Sequence, residues 1–482
     1  MTTQYTPHRK KALQTLRKIL TIDVNEILDA VEADLRRQKG VTHALEIANA
    51  IVEIDYYLEH LDEWAAPTYV EKTLTSALDT PMIVKESKGV VLLIGPWNYP
   101  ASMILLPLIP IIAAGNTVII KPSEVAENTA KVFDRLFTKY FEKRYLSVVL
   151  GGVPETTELL KERFDHIMYT GCTPVAKIIM TAAAKNLTPV TLELGGKCPV
   201  VVEDDAPADI AAKRIAWGKW LNCGQTCLAP DYIITTPSMK SKLIVALKSA
   251  LTEFYGTDIQ KSKDYSRIIN TRHFDRINSL LEKTNAPILF KGGEVDRDDL
   301  FIPPIILDAH RSDIFMEDEI FGPILPILTV KDLDEAISVI RSGEKPLAAY
   351  YFTKNSEKID KFLNETSSGG VTINDVLMHI TVDTLPFGGI GHSGMGRYRG
   401  KFGFETFSHE KGVLKRGYFG ESLASARYPP TTPEKAKQMA KLTGTRRPLP
   451  KFIKKYLPGI SYILIGIFLG YVINRYTPYF KH

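Results

Sequence analysis

Cysteine is scarce in this chain of 482 residues, which contains only Cys172, Cys198, Cys223 and Cys227. So few cysteines over this length do not form the disulfide framework of small secreted proteins. The N-terminal segment, MTTQYTPHRKKALQ, also lacks the apolar stretch of a secretory signal peptide. We therefore expect the body of the protein to face a reducing compartment, in which its thiols stay free.

A strong excess of one charge is missing as well. The chain has 60 Lys and Arg against 55 Asp and Glu, which gives a formal net charge of +5. This small surplus over such a length does not indicate a nucleic-acid partner, and none is expected. The charged fraction of 24% and the hydrophobic fraction of 45% are typical of a globular protein. The length allows a large buried core and two or more domains.

The C-terminal part differs from the rest of the chain. Residues 457–473 read LPGISYILIGIFLGYVI and carry no charge, and basic residues flank them on both sides. Seventeen residues lie near the lower limit for spanning a bilayer. The denser basic cluster on the N-terminal side predicts an anchor with the protein body on the cytosolic side. The short run favours a thin membrane such as the endoplasmic reticulum, with the mitochondrial outer and peroxisomal membranes as alternatives. A buried core helix is the competing interpretation.

The spacing of apolar residues predicts helices over the first 65 residues. Short β-rich runs then alternate with helical stretches up to residue 194. The strands are predicted at Val90–Ile94, 117–123, 147–150, His166–Gly171 and 189–194. Such alternation predicts an α/β protein with a doubly wound parallel sheet, in which ligands bind at the carboxyl ends of the strands. A second mixed α/β region follows at about 197–385.

A Gly-rich segment at 389–394, GIGHSG, matches the G-x-G-x-x-G pattern of dinucleotide sites. No strand–helix–strand unit with a downstream acidic residue surrounds it, and an isolated match is weak. We interpret the segment as a loop.

Four other segments are much more specific when taken together. They are PWNYP at 96–100, KPSE at 121–124, LELGGK at 192–197 and NCGQTC at 222–227. Their order and spacing resemble the aldehyde dehydrogenase superfamily, and EIFGP at 319–323 and FGGIGHSG at 387–394 add two further matches. The resemblance covers roughly residues 5–430. The short N-terminus, EFYG at 253–256 and RYPP at 427–430 resemble the class 3 branch, and the apolar run resembles its membrane-bound fatty aldehyde enzymes.

The resemblance implies NAD(P)-dependent oxidation of medium- to long-chain aldehydes to carboxylic acids, through a thiohemiacetal and a thioester on Cys227. Hydride does not leave readily from the planar carbonyl carbon of an aldehyde. Addition of a thiolate makes that carbon tetrahedral, and hydride can then leave. The resemblance assigns the oxyanion to the amide of Asn98 and the backbone N–H of Cys227. It assigns the general base for thioester hydrolysis to Glu193, with Glu319 as a second candidate. Apolar neighbours of Glu193 in its strand would raise its pKa.

The other cysteines have simpler interpretations. Cys172 and Cys198 are predicted to be small buried side chains, and Cys223 to pack beside the nucleophile. No His cluster accompanies the Cys223–Cys227 pair, so no metal site is expected.

Cofactor residues also follow from the resemblance. It assigns the nicotinamide ribose and ring to Glu319 and Phe321, and the adenosine ribose to Lys121 and Glu124. Because the Glu124 carboxylate would repel a 2′-phosphate, NAD is favoured, while Lys121 would tolerate NADP as the alternative. The cofactor turn and helix start comprise Gly171, Cys172, Thr173, Pro174, Val175 and Ala176. Two of these depart from the family pattern, since Cys172 replaces a polar residue and Ala176 replaces a glycine, whose added methyl would tighten packing at the pyrophosphate.

The same resemblance divides the chain into domains. A Rossmann-like NAD(P)-binding domain spans 1–194, with part of a small β oligomerisation arm at about 66–84, and an α/β catalytic domain spans 195–397. The arm and a C-terminal segment occupy 398–431, a linker or gating segment 432–456, and the transmembrane anchor 457–473. A homodimer is expected, with 66–84 and 398–431 exchanging contacts. The alternatives are an acylating enzyme that passes the thioester to coenzyme A, and a catalytically silent membrane scaffold.

Overall fold

The computed structural model describes residues 6–418 and 421–444. The predicted anchor at 457–473 lies outside the described residues. Within the described ranges, every helix is too short or too polar to cross a membrane.

The helices and strands are numbered along the chain. The α-helices are α1 (Thr6–Ile22), α2 (Val24–Leu35), α3 (Lys39–Thr42), α4 (Asn49–Ala65), α5 (Ser102–Ala113), α6 (Glu127–Tyr140), α7 (Val153–Leu159), α8 (Thr173–Ala184), α9 (Ala208–Trp220), α10 (Pro237–Tyr255), α11 (Thr271–Lys283), α12 (Leu333–Ser342), α13 (Ser356–Glu365), α14 (Gly400–Thr406) and α15 (Pro433–Gly444). The strands are β1 (Thr68–Tyr69), β2 (Thr80–Ser87), β3 (Val90–Ile94), β4 (Thr117–Lys121), β5 (Leu146–Val148), β6 (His166–Gly171), β7 (Val190–Leu194), β8 (Pro199–Val202), β9 (Tyr232–Thr235), β10 (Ile288–Lys291), β11 (Ile305–Asp308), β12 (Ile324–Thr329), β13 (Ala348–Phe352), β14 (Gly370–Ile373), β15 (Gly394–Met395) and β16 (Ser408–Lys415).

The chain separates into two compact units. The larger unit contains residues 6–65 and 86–409, and holds a six-stranded and a seven-stranded sheet with their helices. The smaller unit contains residues 66–85 and the described residues after 409. It is built on the three-stranded sheet β1-β2-β16 and includes α15, so the segment predicted as a linker contains a helix.

The six-stranded sheet has the order β15-β7-β6-β3-β4-β5. Its strands β3 to β7 run parallel, with Ile94 opposite both Lys121 and Tyr169, and Gly171 opposite Leu194. The carboxyl ends of β3, β4, β6 and β7 therefore meet at one edge, where parallel sheets bind ligands. This confirms the predicted doubly wound core.

Strand β15 explains the Gly-rich segment. It pairs antiparallel with β7, with Gly394 opposite Glu193, and the preceding glycines lie in a loop. The G-x-G-x-x-G match is therefore a loop, as predicted. It leads into an edge strand, which was not predicted and which pairs with the strand that carries Glu193.

The seven-stranded sheet has the order β10-β11-β12-β9-β8-β13-β14 and is parallel except for β10. It begins five residues after the last parallel strand of the first sheet ends, at Pro199. Helix α9, which follows β8, leads directly into the NCGQTC loop. The seven-stranded sheet and α9 therefore determine the position of the loop that carries Cys227.

The N-terminal helices pack against the rest of the larger unit through an apolar stripe. Ile47, Ile54 and Leu61 are fully buried, as the spacing of apolar residues predicts. The backbone at His43–Ala48 is a π-helix, which the sequence pattern does not predict. Glu46 and Glu53 are also fully buried, so two carboxylates lie in this packed interface and need partners.

Candidate active site

The loop that carries Cys227 begins with a tight left-handed turn after α9. Asn222 and Cys223 have φ angles of 53° and 56°, and Gly224 has φ of 74°. A Cβ atom on Gly224 would lie 2.2 Å from the carbonyl oxygen of Gly322. Only glycine fits this contact, which joins the NCGQTC loop to the EIFGP segment through their backbones.

The side chain of Gln225 holds the loop in place. Its Nε2 donates to the carbonyls of Asn222 (3.1 Å) and Arg267 (2.9 Å), and its Oε1 accepts from the backbone N–H of Ile269 (3.0 Å). Tyr99 and Thr226 add a hydroxyl–hydroxyl hydrogen bond of 2.9 Å. Each buried polar group of Gln225 is thereby satisfied, which gives the loop one conformation.

Asn98 binds directly to this loop. Its Nδ2 donates to the carbonyl of Gln225 at 3.0 Å, and its own carbonyl accepts from Asn222 Nδ2 at 2.9 Å. An asparagine amide has two N–H donors, so this bond orients the group and leaves a second donor. Asn98 is 5% exposed, which keeps competing water away from the amide.

Cys227 is half-buried, and its pKa lies well above the ordinary value of a thiol. Burial is the main cause, and the negative charges of Glu193 and Glu319 add to it. The thiol is therefore the stable form in this state of the protein. Forming the nucleophilic thiolate requires a base or a positive charge near the sulfur.

The other cysteines divide into two groups. Cys198 and Cys223 are buried, as predicted, and Cys198 Sγ donates to the carbonyl of Cys227 at 3.3 Å. The prediction that Cys172 is a buried side chain is wrong, because it is exposed. It lies after the last residue of β6, at the N-cap of α8, where its side chain has left the sheet interior.

Glu193 lies on β7 and is 1% exposed. Its Oε1 has no hydrogen-bond partner among the described residues. Burial raises the pKa of this carboxyl well above its ordinary value. Such a group is protonated more readily than an exposed glutamate, which suits an acid–base catalyst near neutral pH.

Glu319 packs against the end of the same strand. A Cβ on Gly195 would lie 2.1 Å from Glu319 Oε2, so the carboxylate occupies the space that the glycine leaves open. Burial and the negative charge of Asp231 raise the pKa of Glu319 to about 8, while a hydrogen bond from the Gly196 backbone opposes the rise. Phe321 meets Trp97 in a T-shaped contact with ring centroids 5.4 Å apart. The structure thus brings the EIFGP, LELGGK and PWNYP segments together.

Lys197 and Asp231 hold the segment that carries Glu319. Lys197 Nζ donates to Asp231 Oδ2 (2.5 Å) and to the carbonyls of Phe315 (2.7 Å) and Asp318 (3.0 Å). Asp231 Oδ1 accepts from the backbone N–H of Ile320 at 3.1 Å. Sequence reasoning missed Asp231, because nothing in its local pattern separates it from other loop acids.

Lys121 and Glu124 lie together at the carboxyl end of β4. Lys121 Nζ donates to the carbonyl of Pro122 at 2.7 Å and to Glu124 Oε2 at 3.4 Å. Burial lowers the pKa of Lys121. A Cβ on Gly152 would lie 3.7 Å from the Glu124 side chain, so the start of α7 approaches the same carboxylate. This pair of charges fits the hydroxyls of a ribose.

The turn at 171–176 supplies the start of α8. Thr173 Oγ1 donates to the carbonyl of His392 at 3.2 Å, and the free backbone N–H groups of such a helix start suit an anionic group. Ala176 is 1% exposed and packs in the apolar cluster with Ile94 and Tyr169. Its methyl therefore points into the core, and the expected tightening at the pyrophosphate does not follow. Lys121 and Glu124 could hold the adenosine ribose of a dinucleotide, and the start of α8 could hold its pyrophosphate.

A buried ion pair, Arg37–Glu46, also contacts the site, through Asn98 and Asn222. Sequence reasoning missed it. Glu46 and Glu53 could have indicated it, because these two acids are seven residues apart beside the apolar stripe. Charged side chains in such a position are buried only with partners.

Comparisons with known proteins agree with this geometry. The sequence model of the aldehyde dehydrogenase family matches residues 1–413. The chain is 49% identical over 428 residues to aldehyde dehydrogenase family 3 member A2 of Mus musculus, covering 89% of this chain and 88% of the relative. It is 49% identical over 424 residues to the dimeric, NADP-preferring aldehyde dehydrogenase of the same species, covering 88% and 93%. The substrate-bound structure of Staphylococcus aureus AldH superposes with a TM-score of 0.88 at 43% identity, covering 91% of this chain and 95% of that chain. The chain therefore belongs to the aldehyde dehydrogenase family.

Proposed function

We propose that this protein oxidises medium- to long-chain aldehydes to carboxylic acids, with Cys227 as nucleophile, Asn98 as oxyanion donor and Glu193 as general base. One observation carries the proposal. The amide of Asn98 is fixed on the Cys227 loop with one N–H donor to spare, and the thiol of that loop interacts with two carboxyls of raised pKa, Glu193 and Glu319. Membership of the family gives the reaction class, in which NAD(P) accepts a hydride from the substrate carbon.

The reaction begins at the thiol of Cys227. Its proton passes to solvent water, its sulfur adds to the aldehyde carbon, and the carbonyl electron pair moves to oxygen, where Asn98 and the Cys227 N–H stabilise it. The oxyanion pair then reforms the C=O bond as hydride leaves the carbon, which gives a thioester. Glu193 takes a proton from water, the water oxygen adds to the thioester carbon, and the C–S bond breaks to release the acid.

Replacing Asn98 with alanine should lower kcat by roughly 10²- to 10³-fold, since losing one oxyanion donor costs about 2.7–4 kcal/mol of barrier. Steady-state rates of NADH formation from hexanal would measure this. Tyr99→Phe is the matched control, because it removes a hydrogen bond to the same loop without touching the oxyanion. A loss in Tyr99→Phe as large as in Asn98→Ala would mean that loop order, and not the amide, sets the rate.

We propose that the enzyme uses NAD and also accepts NADP. The 3.4 Å contact between Lys121 and Glu124 supports this, because one of its charges attracts a 2′-phosphate and the other repels it. Glu124→Gln should raise kcat/KM for NADP relative to NAD by roughly fivefold, which corresponds to about 1 kcal/mol between two charges near 4 Å in water. Glu127→Gln, an exposed acid paired with Lys131 on α6, should leave the ratio unchanged. An unchanged ratio in Glu124→Gln would remove this role from the carboxylate.

We further propose that residues 457–473 anchor the protein in a membrane, with the endoplasmic reticulum as the favoured location. Long-chain aldehydes partition into bilayers, so a tethered active site meets a concentrated substrate. Cutting the chain after residue 450 should give a soluble enzyme with normal kcat/KM on short aldehydes and reduced activity on long-chain aldehydes in vesicles. Ile465→Lys with Leu469→Lys is a full-length control that should also leave the membrane, because a central charge costs about 3 kcal/mol. A truncated protein that still pellets after an alkaline carbonate wash would exclude this anchor.

We also propose that the protein is a homodimer with contacts at 66–84 and 398–431. The small unit exposes the apolar side chains of Tyr69, Leu78 and Leu414 on and beside its three-stranded sheet, as such a contact requires. Along the sequence, the parallel strands of the six-stranded sheet end at residue 194, and those of the seven-stranded sheet begin after residue 195. This order supports an NAD(P)-binding domain up to 194 and a catalytic domain from 195 to 397. Light scattering would measure the mass, and product analysis with and without coenzyme A would separate hydrolysis from acyl transfer.

A further inference from the structure

Arg37 and Glu46 form an ion pair that is almost completely removed from solvent. Arg37 is 2% exposed and Glu46 is 0% exposed, and the guanidinium Nη2 contacts Glu46 Oε1. Arg37 lies in the turn after α2, and Glu46 lies in the π-helix before α4. A buried charge pair is costly to desolvate, and it is maintained when its remaining hydrogen-bonding groups are satisfied.

Those remaining groups reach both halves of the proposed oxyanion site. Arg37 Nη1 donates to the carbonyl of Asn98 at 3.4 Å and to Asn222 Oδ1 at 3.2 Å. Its guanidinium also lies over the ring of Tyr99, 4.8 Å from the ring centroid. One side chain therefore bridges the turn that carries Asn98 and the loop that carries Cys227.

Glu46 fixes the same turn from its other end. Its Oε2 accepts from the backbone N–H groups of Ala101 (2.9 Å) and Ser102 (2.8 Å), at the start of α5. No other carboxylate among the described residues is recorded at these two N–H groups. The position of the Asn98 backbone is thus set by contacts three and four residues downstream and by Arg37 at its own carbonyl.

We infer that Arg37 and Glu46 are positioning residues for the reaction, which hold Asn98 on the Cys227 loop so that its free amide N–H meets the developing oxyanion. The inference rests on the proposed oxyanion role of Asn98. Both side chains are almost fully buried, so neither is placed to contact a substrate. They act through the backbone of Asn98 and the side chain of Asn222, which itself donates to the Asn98 carbonyl.

A second buried pair provides a matched control. Arg399 and Glu53 are also almost fully buried, with a contact of 2.6 Å, and Glu53 Oε1 accepts from the Gly400 backbone N–H at 2.8 Å. Glu53 lies seven residues after Glu46, and the pair also contacts Asn49, Ile380 and Asp383. It therefore matches the first pair in burial and chemistry and contacts neither Asn98 nor Asn222.

The first experiment compares Glu46→Gln with Glu53→Gln in the full-length protein, using hexanal and NAD. Both changes keep the side-chain shape, and both should lower the unfolding temperature to a similar extent. Glu46→Gln should lower kcat by roughly tenfold or more, because misplacing a catalytic group by about 1 Å can cost about 10²-fold. The dissociation constant of NAD, measured by fluorescence titration, should stay within about twofold. An equal fall of kcat in both variants, or no fall in Glu46→Gln, would overturn the inference.

The second experiment tests whether Arg37 acts through Asn98. Arg37→Lys keeps the charge beside Glu46, but a single ammonium cannot reproduce the planar fork that reaches Glu46, Asn98 and Asn222. In the wild-type background it should lower kcat by roughly tenfold, and in the Asn98→Ala background it should change kcat by less than about twofold. Equal losses in the two backgrounds would show that Arg37 acts on general stability and would overturn the inference.

The Asn98→Ala arm separates this inference from the proposed function. A normal kcat in Asn98→Ala would remove the oxyanion role, and a loss in Arg37→Lys would then have to act elsewhere. A reduced kcat in Asn98→Ala together with a normal kcat in Arg37→Lys and Glu46→Gln would preserve the oxyanion donor and overturn only the positioning role.

Discussion

We expect Cys227→Ala to abolish aldehyde oxidation and to leave cofactor binding and the unfolding temperature near those of the wild type. The sulfur is the proposed site of covalent addition, and alanine offers no atom that can bind the aldehyde carbon. The fold should tolerate the change, because Cys227 is only half-buried and its backbone carbonyl still accepts from Cys198. NADH formation from hexanal, followed by absorbance, and NAD titration would measure the two properties.

Cys223→Ala is the control for this variant. Cys223 is fully buried in the same loop, and its Sγ donates to the hydroxyl of Tyr265 at 3.5 Å. Its side chain is 0% exposed, whereas Cys227 is half-buried, so the Cys223 sulfur is out of reach of an aldehyde. Most of the activity should remain. Robust turnover by Cys227→Ala, or loss of turnover in Cys223→Ala alone, would move the nucleophile to another residue.

Glu193→Gln should form one equivalent of NADH per active site and then stop. Glutamine keeps the shape of the side chain in its buried site but cannot take a proton from the water that hydrolyses the thioester. Rapid-mixing absorbance would measure the burst, and intact mass spectrometry would detect the acylated enzyme. The absence of both would place Glu193 before hydride transfer, or outside the mechanism.

The pH dependence of hydrolysis provides an independent test of the same base. Burial raises the pKa of Glu193, so the carboxyl is protonated at pH values where an exposed glutamate is charged, and only the charged form accepts a proton. The rate of thioester hydrolysis should therefore rise as pH increases through this pKa. Glu319→Gln is the comparison, since Glu319 has a pKa of about 8 and is the second candidate base. A stalled thioester in Glu319→Gln, with normal hydrolysis in Glu193→Gln, would exchange the two roles.

Much of the architecture was predictable because strands in a parallel sheet are short, apolar and separated by helices. Val90–Ile94 and His166–Gly171 have the predicted bounds, and the helix predicted at about 101–114 is α5. The resemblance to the family, and no local pattern, predicted that Asn98, Cys227, Glu319 and Phe321 belong to one site. Asn98 lies four residues after β3, near the carboxyl edge at which parallel sheets bind ligands.

The remainder depends on contacts between distant segments. Arg37 lies 61 residues from Asn98 and 185 residues from Asn222, and no local periodicity links them. The direction of a side chain at a helix start is equally hard to predict, which is why Cys172 proved exposed and the methyl of Ala176 proved buried. Such details are decided by packing after the elements have formed.

The raised pKa of Cys227 has a consequence for the survival of the enzyme between turnovers. Alkylating agents and peroxides react with thiolates much faster than with thiols. Burial and the neighbouring carboxyls Glu193 and Glu319 favour the protonated form of Cys227, the proposed nucleophile. We therefore expect such reagents to modify Cys227 slowly in the free protein.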